Sequence, residues 1–152
     1  MKTQVGLARV DTLSLEEVQQ TPWFNRYFKG AKLVKSDSVF DPDRQQLQEY
    51  FAGNRLAFDL DLDERGTPFQ KEVWQALHAI PYGQTLSYGG LADKLGQSSK
   101  AAQAVGRALG QNPLLVVVPC HRILAQDGKL TGYRGGLALK KALLTAEGIN
   151  YI

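Results

Sequence analysis

Hydrophobic positions repeat at helical spacing near the middle of the chain. The repeat comprises Phe69, Val73, Leu77 and Ile80, at i, i+4, i+8 and i+11. This spacing buries one face of a helix. Thr67-Pro68-Phe69-Gln70 is a capping box with proline in the first turn, and Pro81-Tyr82-Gly83 ends the pattern. The positions predict a helix that begins near residue 68.

Two segments before this helix show strand patterns. Val5, Leu7 and Ala8-Arg9-Val10 are typical of a short strand. From Leu56 to Leu62, leucine and phenylalanine alternate with alanine and aspartate, which predicts a half-buried strand with its acids in water. The polar sequence Asp63-Glu64-Arg65-Gly66 marks a predicted boundary between two domains.

Three helices are predicted in the same N-terminal part. Ser14-Leu15-Glu16-Glu17 is a capping box. The aromatic residues from Trp23 to Phe28 lie at helical spacing and favour a core face, with Gly30 ending the helix. Asp41-Pro42 predicts an N-cap followed by proline at the first helical position. An apolar stripe then comprises Leu47, Tyr50 and Phe51.

Two short helices are predicted after the central helix. Ser87 caps one that ends at Gly96, and Ser98 or Ser99 caps a second that ends at Gly110. Two helices joined by a tight turn form a helix-turn-helix, whose second helix enters a DNA groove in many proteins. The second helix has a predicted inner face of Ala102, Val105 and Leu109 and an outer face of Ala101, Ala104, Gly106 and Ala108. Such small residues allow either the wall of a DNA groove or a neighbouring helix to approach this face closely, and both interpretations stay open.

The last third begins with a buried segment. Asn112-Pro113 breaks the helix, and the apolar run from Leu114 to Val118 predicts a strand buried on both faces. This run ends in Pro119-Cys120-His121-Arg122. Asp127-Gly128 predicts a hairpin-type turn, and a last helix is predicted over residues 137–147. Its inward positions are Leu139, Leu143 and Ala146.

The composition is that of an ordinary globular protein. The chain has 152 residues, of which 43% are apolar and 22% charged, so disorder and low complexity are excluded. No apolar run approaches the roughly 18 residues that span a bilayer, and no signal peptide is visible. The single cysteine, Cys120, excludes an internal disulfide and a four-cysteine zinc site. We therefore expect a cytoplasmic protein with no membrane partner, metal or cofactor.

The charge is distributed unevenly. From Gln97 onward, seven Lys and Arg residues stand against two acids, a net charge of +5, while residues 1–96 carry −2. A basic C-terminal third suits a phosphate-bearing partner such as nucleic acid. A solvated face on a slightly basic protein is the alternative, and charge alone does not separate the two.

Cys120 is the strongest candidate for chemistry. A reactive cysteine needs its proton removed by a neighbour, because the thiolate is the nucleophile. His121 follows it directly, and Glu147 lies on a later helix, as in a nucleophile–base–acid triad. A buried structural cysteine beside an incidental histidine is the alternative for the pair by itself.

Six sequence segments in order resemble one family. They are Phe69-Gln70-Lys71-Glu72-Val73-Trp74, Ile80-Pro81-Tyr82-Gly83, Leu86-Ser87-Tyr88, Gly110-Gln111-Asn112-Pro113, Pro119-Cys120-His121-Arg122 and Gly132-Tyr133-Arg134-Gly135-Gly136-Leu137. Together they resemble the O6-alkylguanine-DNA alkyltransferases, also called methylated-DNA–protein-cysteine methyltransferases. The match runs nearly continuously from Gly66 to Gly148.

The resemblance implies DNA repair by direct reversal. Members of this family bind duplex DNA through a helix-turn-helix in the minor groove and rotate the damaged guanine out of the stack. They move its O6-alkyl group irreversibly to a cysteine, so each molecule acts once. By this resemblance Cys120 is the acceptor, His121 takes the thiol proton through a water, and Glu147 orients His121.

The resemblance also assigns binding residues. Tyr88 helps to rotate the target nucleotide, Asn112 holds the turn before the active-site segment, and Tyr133 lines the pocket for the base. On the DNA-binding surface, the family's helix-turn-helix and the basic residues imply contacts from Tyr88, Lys100, Gln103, Arg107 and Arg122.

The resemblance further implies an α/β architecture. A small N-terminal α/β domain, residues 1–64, is a shortened, ribonuclease H-like structural domain. Residues 65–152 form a mainly helical DNA-binding and alkyl-acceptor domain with a winged-helix-like helix-turn-helix. The expected molecule is a monomer whose partner is double-stranded DNA containing O6-alkylguanine.

Two features depart from the family pattern. Gln103 occupies the place of an arginine that fills the gap left by the flipped base, while Arg107 lies one turn further on and suits a phosphate contact. The N-terminus also lacks the Ser-Pro-Leu-Gly-like hairpin turn of the family.

Two other functions compete with alkyl transfer. One is a non-catalytic lesion binder, like the alkyltransferase-like proteins that keep the fold without the cysteine, and Cys120 argues against it. The other is a cysteine hydrolase using Cys120 and His121, which leaves the helix-turn-helix unexplained.

Overall fold

A computed structural model describes residues 1–152, except for the side chain of Ser99. Within the described residues the fold is mixed α/β and mostly helical. The α-helices are α1 (Leu15–Gln19), α2 (Pro22–Tyr27), α3 (Asp41–Phe51), α4 (Pro68–His78), α5 (Tyr88–Lys94), α6 (Ala102–Gly110) and α7 (Leu137–Ala146). Short 3₁₀ turns cover Ser38–Phe40, Ser99–Ala101 and Cys120–Arg122. The strands β1 (Leu86–Ser87) and β2 (Ile123–Leu124) form a small parallel sheet, with Leu86 opposite Ile123.

Three of the predicted helix starts are confirmed. Ser14 and Thr67 form complete capping boxes, and the Ser87 hydroxyl accepts a hydrogen bond from the backbone N–H of Gly90. Asp41 is not an N-cap, because Phe40 precedes it at the end of a 3₁₀ turn and Asp41 already has helical backbone angles. The predicted cap at Ser98 or Ser99 does not lie at the start of α6, where Ala101 is the N-cap and makes no side-chain hydrogen bond. The side chain of Ser99 lies outside the described residues.

The helix-turn-helix packs on α4 through a buried tryptophan. Trp74 is fully buried, and its Nε1 donates a hydrogen bond to the Ala108 carbonyl at 2.9 Å. Ala108 is itself buried, so its predicted outward position is wrong. A Cβ on Gly106 would lie 3.5 Å from the Tyr88 ring. The small residues at these two positions therefore serve close packing within the protein.

The predicted strand from Leu114 to Val118 is wrong. The segment is buried, but it turns back on itself, with backbone hydrogen bonds from Val117 to Leu115 and from Val118 to Leu114 at 2.9 and 3.0 Å. Val116 takes a left-handed conformation with φ of 72°, which strains a β-branched residue by about 1–3 kcal/mol. A continuous apolar run indicates burial on all sides, and a compact turn satisfies that as well as a strand does.

The N-terminal strand predictions are replaced by isolated bridges. Leu7 pairs with Leu62, and Val10 pairs with Leu114, each in parallel and over a single residue. The predicted alternation persists without a strand from Phe58, which is half-buried, to Leu62, and Asp59 and Asp61 are exposed. It fails at both ends, because Leu56 is exposed and Asp63, predicted on the solvent face, is buried. Alternation reports which side faces the core, whereas a strand also needs consecutive backbone partners.

The C-terminal predictions are partly confirmed. The Asp127-Gly128 turn is present, with the Gly128 N–H bonded to the Ala125 carbonyl. Helix α7 buries Leu143 as predicted, but Ala146 is exposed. No helix in the described part of the chain is long and apolar enough to cross a bilayer.

The N-terminal segment packs closely against the chain at Gly6. A Cβ on Gly6 would lie 2.3 Å from the Asp61 carbonyl oxygen, a backbone atom that has little freedom to shift. We expect Gly6→Ala to lower the free energy of unfolding by about 1–3 kcal/mol in a denaturant titration. Gly110→Ala is the control, because no heavy atom among the described residues lies within 4 Å of its Cβ position. It should be neutral or stabilising by about 0.5–1 kcal/mol. Equal effects of the two substitutions would contradict the close approach at Gly6.

Candidate active site

One buried amide side chain holds the segment that leads to Cys120. Asn112 is fully buried, and its Oδ1 accepts a hydrogen bond from the Leu114 N–H at 2.9 Å. Its Nδ2 donates to the Val118 carbonyl at 3.2 Å and to Cys120 Sγ at 3.1 Å. The same side chain therefore satisfies the backbone of the turn and fixes the position of the thiol.

The thiol is buried and protonated at rest. Cys120 opens the 3₁₀ turn after the apolar segment, and 5% of its surface is exposed. Burial raises its pKa, and the hydrogen bond from Asn112 offsets part of that increase. Because the pKa remains above its usual value, the sulfur needs a base before it can act as a nucleophile.

His121 is oriented as a neutral base. Its Nε2 lies 2.8 Å from Oε1 of Glu147, and both side chains are buried. Burial lowers the pKa of His121, and Glu147 opposes that effect. An ionised carboxylate only accepts hydrogen bonds, so Nε2 carries the ring hydrogen. Nδ1 then has a free lone pair, and it has no hydrogen-bond partner among the described groups.

Glu147 receives hydrogen bonds from four residues in three parts of the chain. The donors are the Tyr50 hydroxyl, His121 Nε2, the Arg122 guanidinium and the backbone N–H of Gly83. Burial alone would raise the pKa of Glu147, but these donors outweigh it and lower the pKa to about 2. The carboxylate is therefore ionised at neutral pH.

Arg122 lies in the interior, not on the DNA-facing surface predicted for it. Its Nε and Nη2 both donate to Glu147 at 2.9 Å, and its Nη1 donates to the Ile80 carbonyl at 2.6 Å. Since 7% of its surface is exposed, it is not placed to contact phosphate. Its guanidinium instead neutralises the buried carboxylate.

Two more cations of the basic third are also engaged inside the protein. Lys140 is 1% exposed and donates to the Ile123 carbonyl at 2.7 Å, and burial lowers its pKa to about 8. Arg134 pairs with Asp11 at 2.6 Å. The surface is therefore less basic than the residue count suggests.

A cavity of about 300 Å³ lies beside the thiol. Its lining includes Tyr88, Gly106, Cys120, Tyr133 and Arg134. The Tyr88 hydroxyl is hydrogen-bonded to Thr131 at 2.5 Å, whereas the buried hydroxyl of Tyr133 has no partner among the described groups. A larger groove of about 800 Å³ lies between residues 56–64 and the end of α4, and it does not include Cys120. We assign the candidate site to the smaller cavity because it contains Cys120, the candidate nucleophile.

The predicted DNA-contact residues on and before α6 lie at the surface. Lys100, Gln103 and Arg107 are all exposed. Tyr88, at the start of α5, is half-buried and faces Gly106 of α6. Tyr88 of α5 and Gly106 of α6 also line the cavity, so the cavity lies next to the helix-turn-helix.

Sequence reasoning missed Tyr50. It is 1% exposed, and its hydroxyl donates to Glu147, 97 residues away in the chain. Its position in an apolar stripe predicted a core residue, which is correct for the ring but not for the hydroxyl. No local signal connects it to Cys120.

Comparison with known proteins identifies relatives of this chain. Residues 68–149 match the family model of the 6-O-methylguanine DNA methyltransferase, DNA binding domain. The methylated-DNA–protein-cysteine methyltransferase of Mycobacterium tuberculosis is 56% identical over 67% of this chain and 61% of its own length. The chain thus spans about three fifths of that relative.

Two further relatives extend the comparison. The inducible methylated-DNA–protein-cysteine methyltransferase of Bacillus subtilis is 43% identical over 95% of this chain and 80% of its own. The crystal structure of Mycobacterium tuberculosis OGT in complex with DNA superposes with a TM-score of 0.69 at 53% identity, covering 72% of this chain and 66% of that one. With a family model that matches more than half of its residues and a relative that aligns along nearly all of it, the chain belongs to the 6-O-methylguanine DNA methyltransferase family.

Proposed function

We propose that this protein repairs DNA by transferring an alkyl group, such as methyl, from O6 of guanine to Cys120 in a single irreversible turnover. This activity is that of a methylated-DNA–[protein]-cysteine S-methyltransferase. The observation that carries the proposal is the buried Cys120 thiol, which lines a cavity together with Tyr88 and Gly106 of the helix-turn-helix. The next residue in the chain, His121, is hydrogen-bonded to Glu147. The DNA-bound Mycobacterium tuberculosis relative supports DNA as the partner, and we propose that this DNA is a duplex.

The chemical step follows from the relay. The thiol proton of Cys120 passes through a water to Nδ1 of His121, and Glu147 stabilises the resulting imidazolium. The thiolate attacks the alkyl carbon, a carbon–sulfur bond forms, and the carbon–oxygen bond breaks with its electron pair going to O6. The proton is then returned to the departing guanine. The thioether is stable, so the protein is consumed.

The cavity suits a base that has left the helix stack. An O6 substituent inside a duplex is shielded, so the nucleotide must rotate outward before Cys120 reaches it. In the proposed complex Tyr133 lines the base pocket, Tyr88 helps to rotate the nucleotide, and Asn112 keeps the thiol in place. The cavity volume of about 300 Å³ is within the usual range for small-molecule sites.

The proposed DNA surface is the exposed side of α5 and α6. Lys100 and Arg107 provide phosphate contacts, and Gln103 occupies the gap left by the rotated base. Small residues along α6 are compatible with the narrow minor groove. In this proposal the helix-turn-helix is winged-helix-like, and one protein molecule acts as a monomer on one lesion.

The proposed division of labour follows the predicted boundary. Residues 65–152 carry the DNA surface and the acceptor, while residues 1–64 form a shortened, ribonuclease H-like structural domain. The single free thiol of Cys120 supports a reducing, cytoplasmic setting, because an oxidised acceptor would be inactive.

Incubation with O6-benzylguanine followed by intact-mass analysis tests the function. Alkyl transfer predicts one stable benzyl adduct on Cys120 and no turnover. A lesion binder would give no adduct, and a cysteine hydrolase would release product repeatedly without retaining the benzyl group. Either of these results would overturn the proposal.

Removing the nucleophile should separate chemistry from binding. We expect Cys120→Ser to abolish adduct formation and to change the affinity for alkylated duplex DNA by less than about twofold, because the DNA contacts lie on other residues. Fluorescence anisotropy measures the affinity, and circular dichroism checks the fold. A loss of DNA affinity in a folded variant would contradict the division between thiol and binding surface.

Binding should depend steeply on salt and weakly on sequence. Arg107→Gln is expected to reduce the slope of log affinity against log salt by about 1, because one phosphate contact is lost. Lys29→Gln removes the same charge from an exposed residue in the N-terminal part and should leave the slope unchanged. Equal effects of the two substitutions would exclude α6 as the contact surface.

Gln103 should affect duplex DNA but not the free base. Flipping costs a few kcal/mol and each ~1.4 kcal/mol is tenfold, so we expect Gln103→Arg to speed duplex repair by roughly five- to tenfold. Gln103→Ala should slow it. Both variants should react normally with free O6-benzylguanine, which needs no flipping.

A charge control completes the Gln103 experiment. Gln97→Arg adds the same charge at an exposed position outside α6 and should not reproduce the gain. If Gln103→Arg changes the duplex and free-base rates in parallel, the residue acts on the pocket or on folding and does not fill the gap.

A further inference from the structure

We infer that Tyr50 is a positioning residue of the proton relay. Its hydroxyl donates a hydrogen bond to Oε1 of Glu147 and thereby limits the basicity of His121. This inference rests on the proposed function and adds a residue from the N-terminal part to the site. It assigns that part a chemical role in addition to its structural one.

The position of the hydroxyl is fixed by packing. The Tyr50 ring lies 5.2 Å from the ring of Phe58 and meets Tyr82 edge-on at 5.8 Å. Its hydroxyl donates to Oε1 of Glu147 and lies 3.4 Å from Nε2 of His121. Helix α3 thus delivers one polar atom to the point where the imidazole and the carboxylate meet.

The hydroxyl and the imidazole share a single acceptor atom. Oε1 of Glu147 accepts from Tyr50, from His121 Nε2 and from Arg122 Nη2. Oε2 accepts from Arg122 Nε at 2.9 Å and from the Gly83 N–H at 3.0 Å. A neutral donor on Oε1 withdraws charge from the oxygen that stabilises the imidazolium. Without this donor, Oε1 would hold the protonated ring more strongly, and the pKa of His121 would rise.

Other charged and titratable groups also face His121. From the elements packed around it, they are Glu147, Arg122, Lys140, Tyr133 and Cys120. None of these contacts is removed by a substitution confined to the Tyr50 hydroxyl. A phenylalanine at position 50 retains the aromatic packing, so the change isolates one hydrogen bond.

The consequence is a defined shift in pH dependence. Alkyl transfer requires His121 to be neutral, so the rate falls as the pH drops through the pKa of His121. We expect Tyr50→Phe to move this acid limb to higher pH by about half to one unit, the size expected from one hydrogen bond to a charged group. On the alkaline plateau the rate should stay within about threefold of wild type.

Tyr82→Phe is the matched control. The Tyr82 hydroxyl donates to the Ala146 carbonyl at 2.6 Å, so its removal also takes one hydrogen bond from the end of α7. It does not contact Glu147 or His121 through that hydroxyl. The pH–rate profile of Tyr82→Phe with O6-benzylguanine should match that of wild type.

The ring titration of His121 provides a direct measurement. The chain has two histidines, His78 and His121, so ring signals in NMR spectra are few and His78 serves as an internal reference. The His121 midpoint should rise in Tyr50→Phe and stay in place in Tyr82→Phe. An unchanged His121 midpoint in folded Tyr50→Phe, or a rate lowered equally at every pH, would overturn the inference.

Two further measurements test the inference if the Tyr50→Phe variant or the activity assay fails. If Tyr50→Phe fails to fold, 3,5-difluorotyrosine at position 50 makes the hydroxyl a stronger donor and should move the acid limb and the His121 midpoint to lower pH. If wild type forms no benzyl adduct, the proposed function fails, whereas the NMR titration still tests the link between Tyr50 and His121.

Discussion

The site depends on the hydrogen bonds and the opposite charge that keep the buried carboxylate of Glu147 ionised. Taking a carboxylate out of water is costly unless hydrogen bonds and an opposite charge replace the water. Here Arg122 supplies the charge, and Tyr50 and Gly83 complete the hydrogen bonding. Four segments that are remote in sequence must meet for the carboxylate to be buried, and the orientation of His121 follows from that meeting.

Local structure was predictable where the determining contacts are local. The capping boxes at Ser14 and Thr67 connect residues three positions apart, so their sequence patterns suffice. The segment from Leu114 to Val118 was not predictable, because the side chain of Asn112 replaces the neighbouring strand that an apolar run suggests. Segments 5–10 and 56–62 likewise depend on partners that their own patterns do not reveal.

The site was predictable only in part for the same reason. The resemblance to a family predicted Cys120, His121 and Glu147 as site residues, and the structure brings the last two into contact. Arg122 was predicted on the surface because sequence does not distinguish a buried cation from an exposed one. Asp11 reaches Arg134 across 123 residues, a distance over which no spacing rule applies.

Net charge therefore overstates the basic surface of the C-terminal third. Arg122 and Lys140 are buried, and Arg134 is paired with Asp11. The exposed cations include Lys100 on the turn before α6, Arg107 on α6 and Lys141 on α7. The electrostatic field that a phosphate backbone would meet is thus set by a few exposed cations and not by the overall excess of positive charge.

The separation of Tyr50, His121 and Glu147 along the chain has a consequence for synthesis. The tyrosine and the imidazole are translated before the carboxylate that joins them, so a growing chain carries the thiol without its completed relay. Long-range contacts of this kind also form late in folding, because closing large loops costs entropy before the contacts stabilise them. The contacts around the Glu147 carboxylate are therefore complete only when the span from residue 50 to residue 147 has folded together.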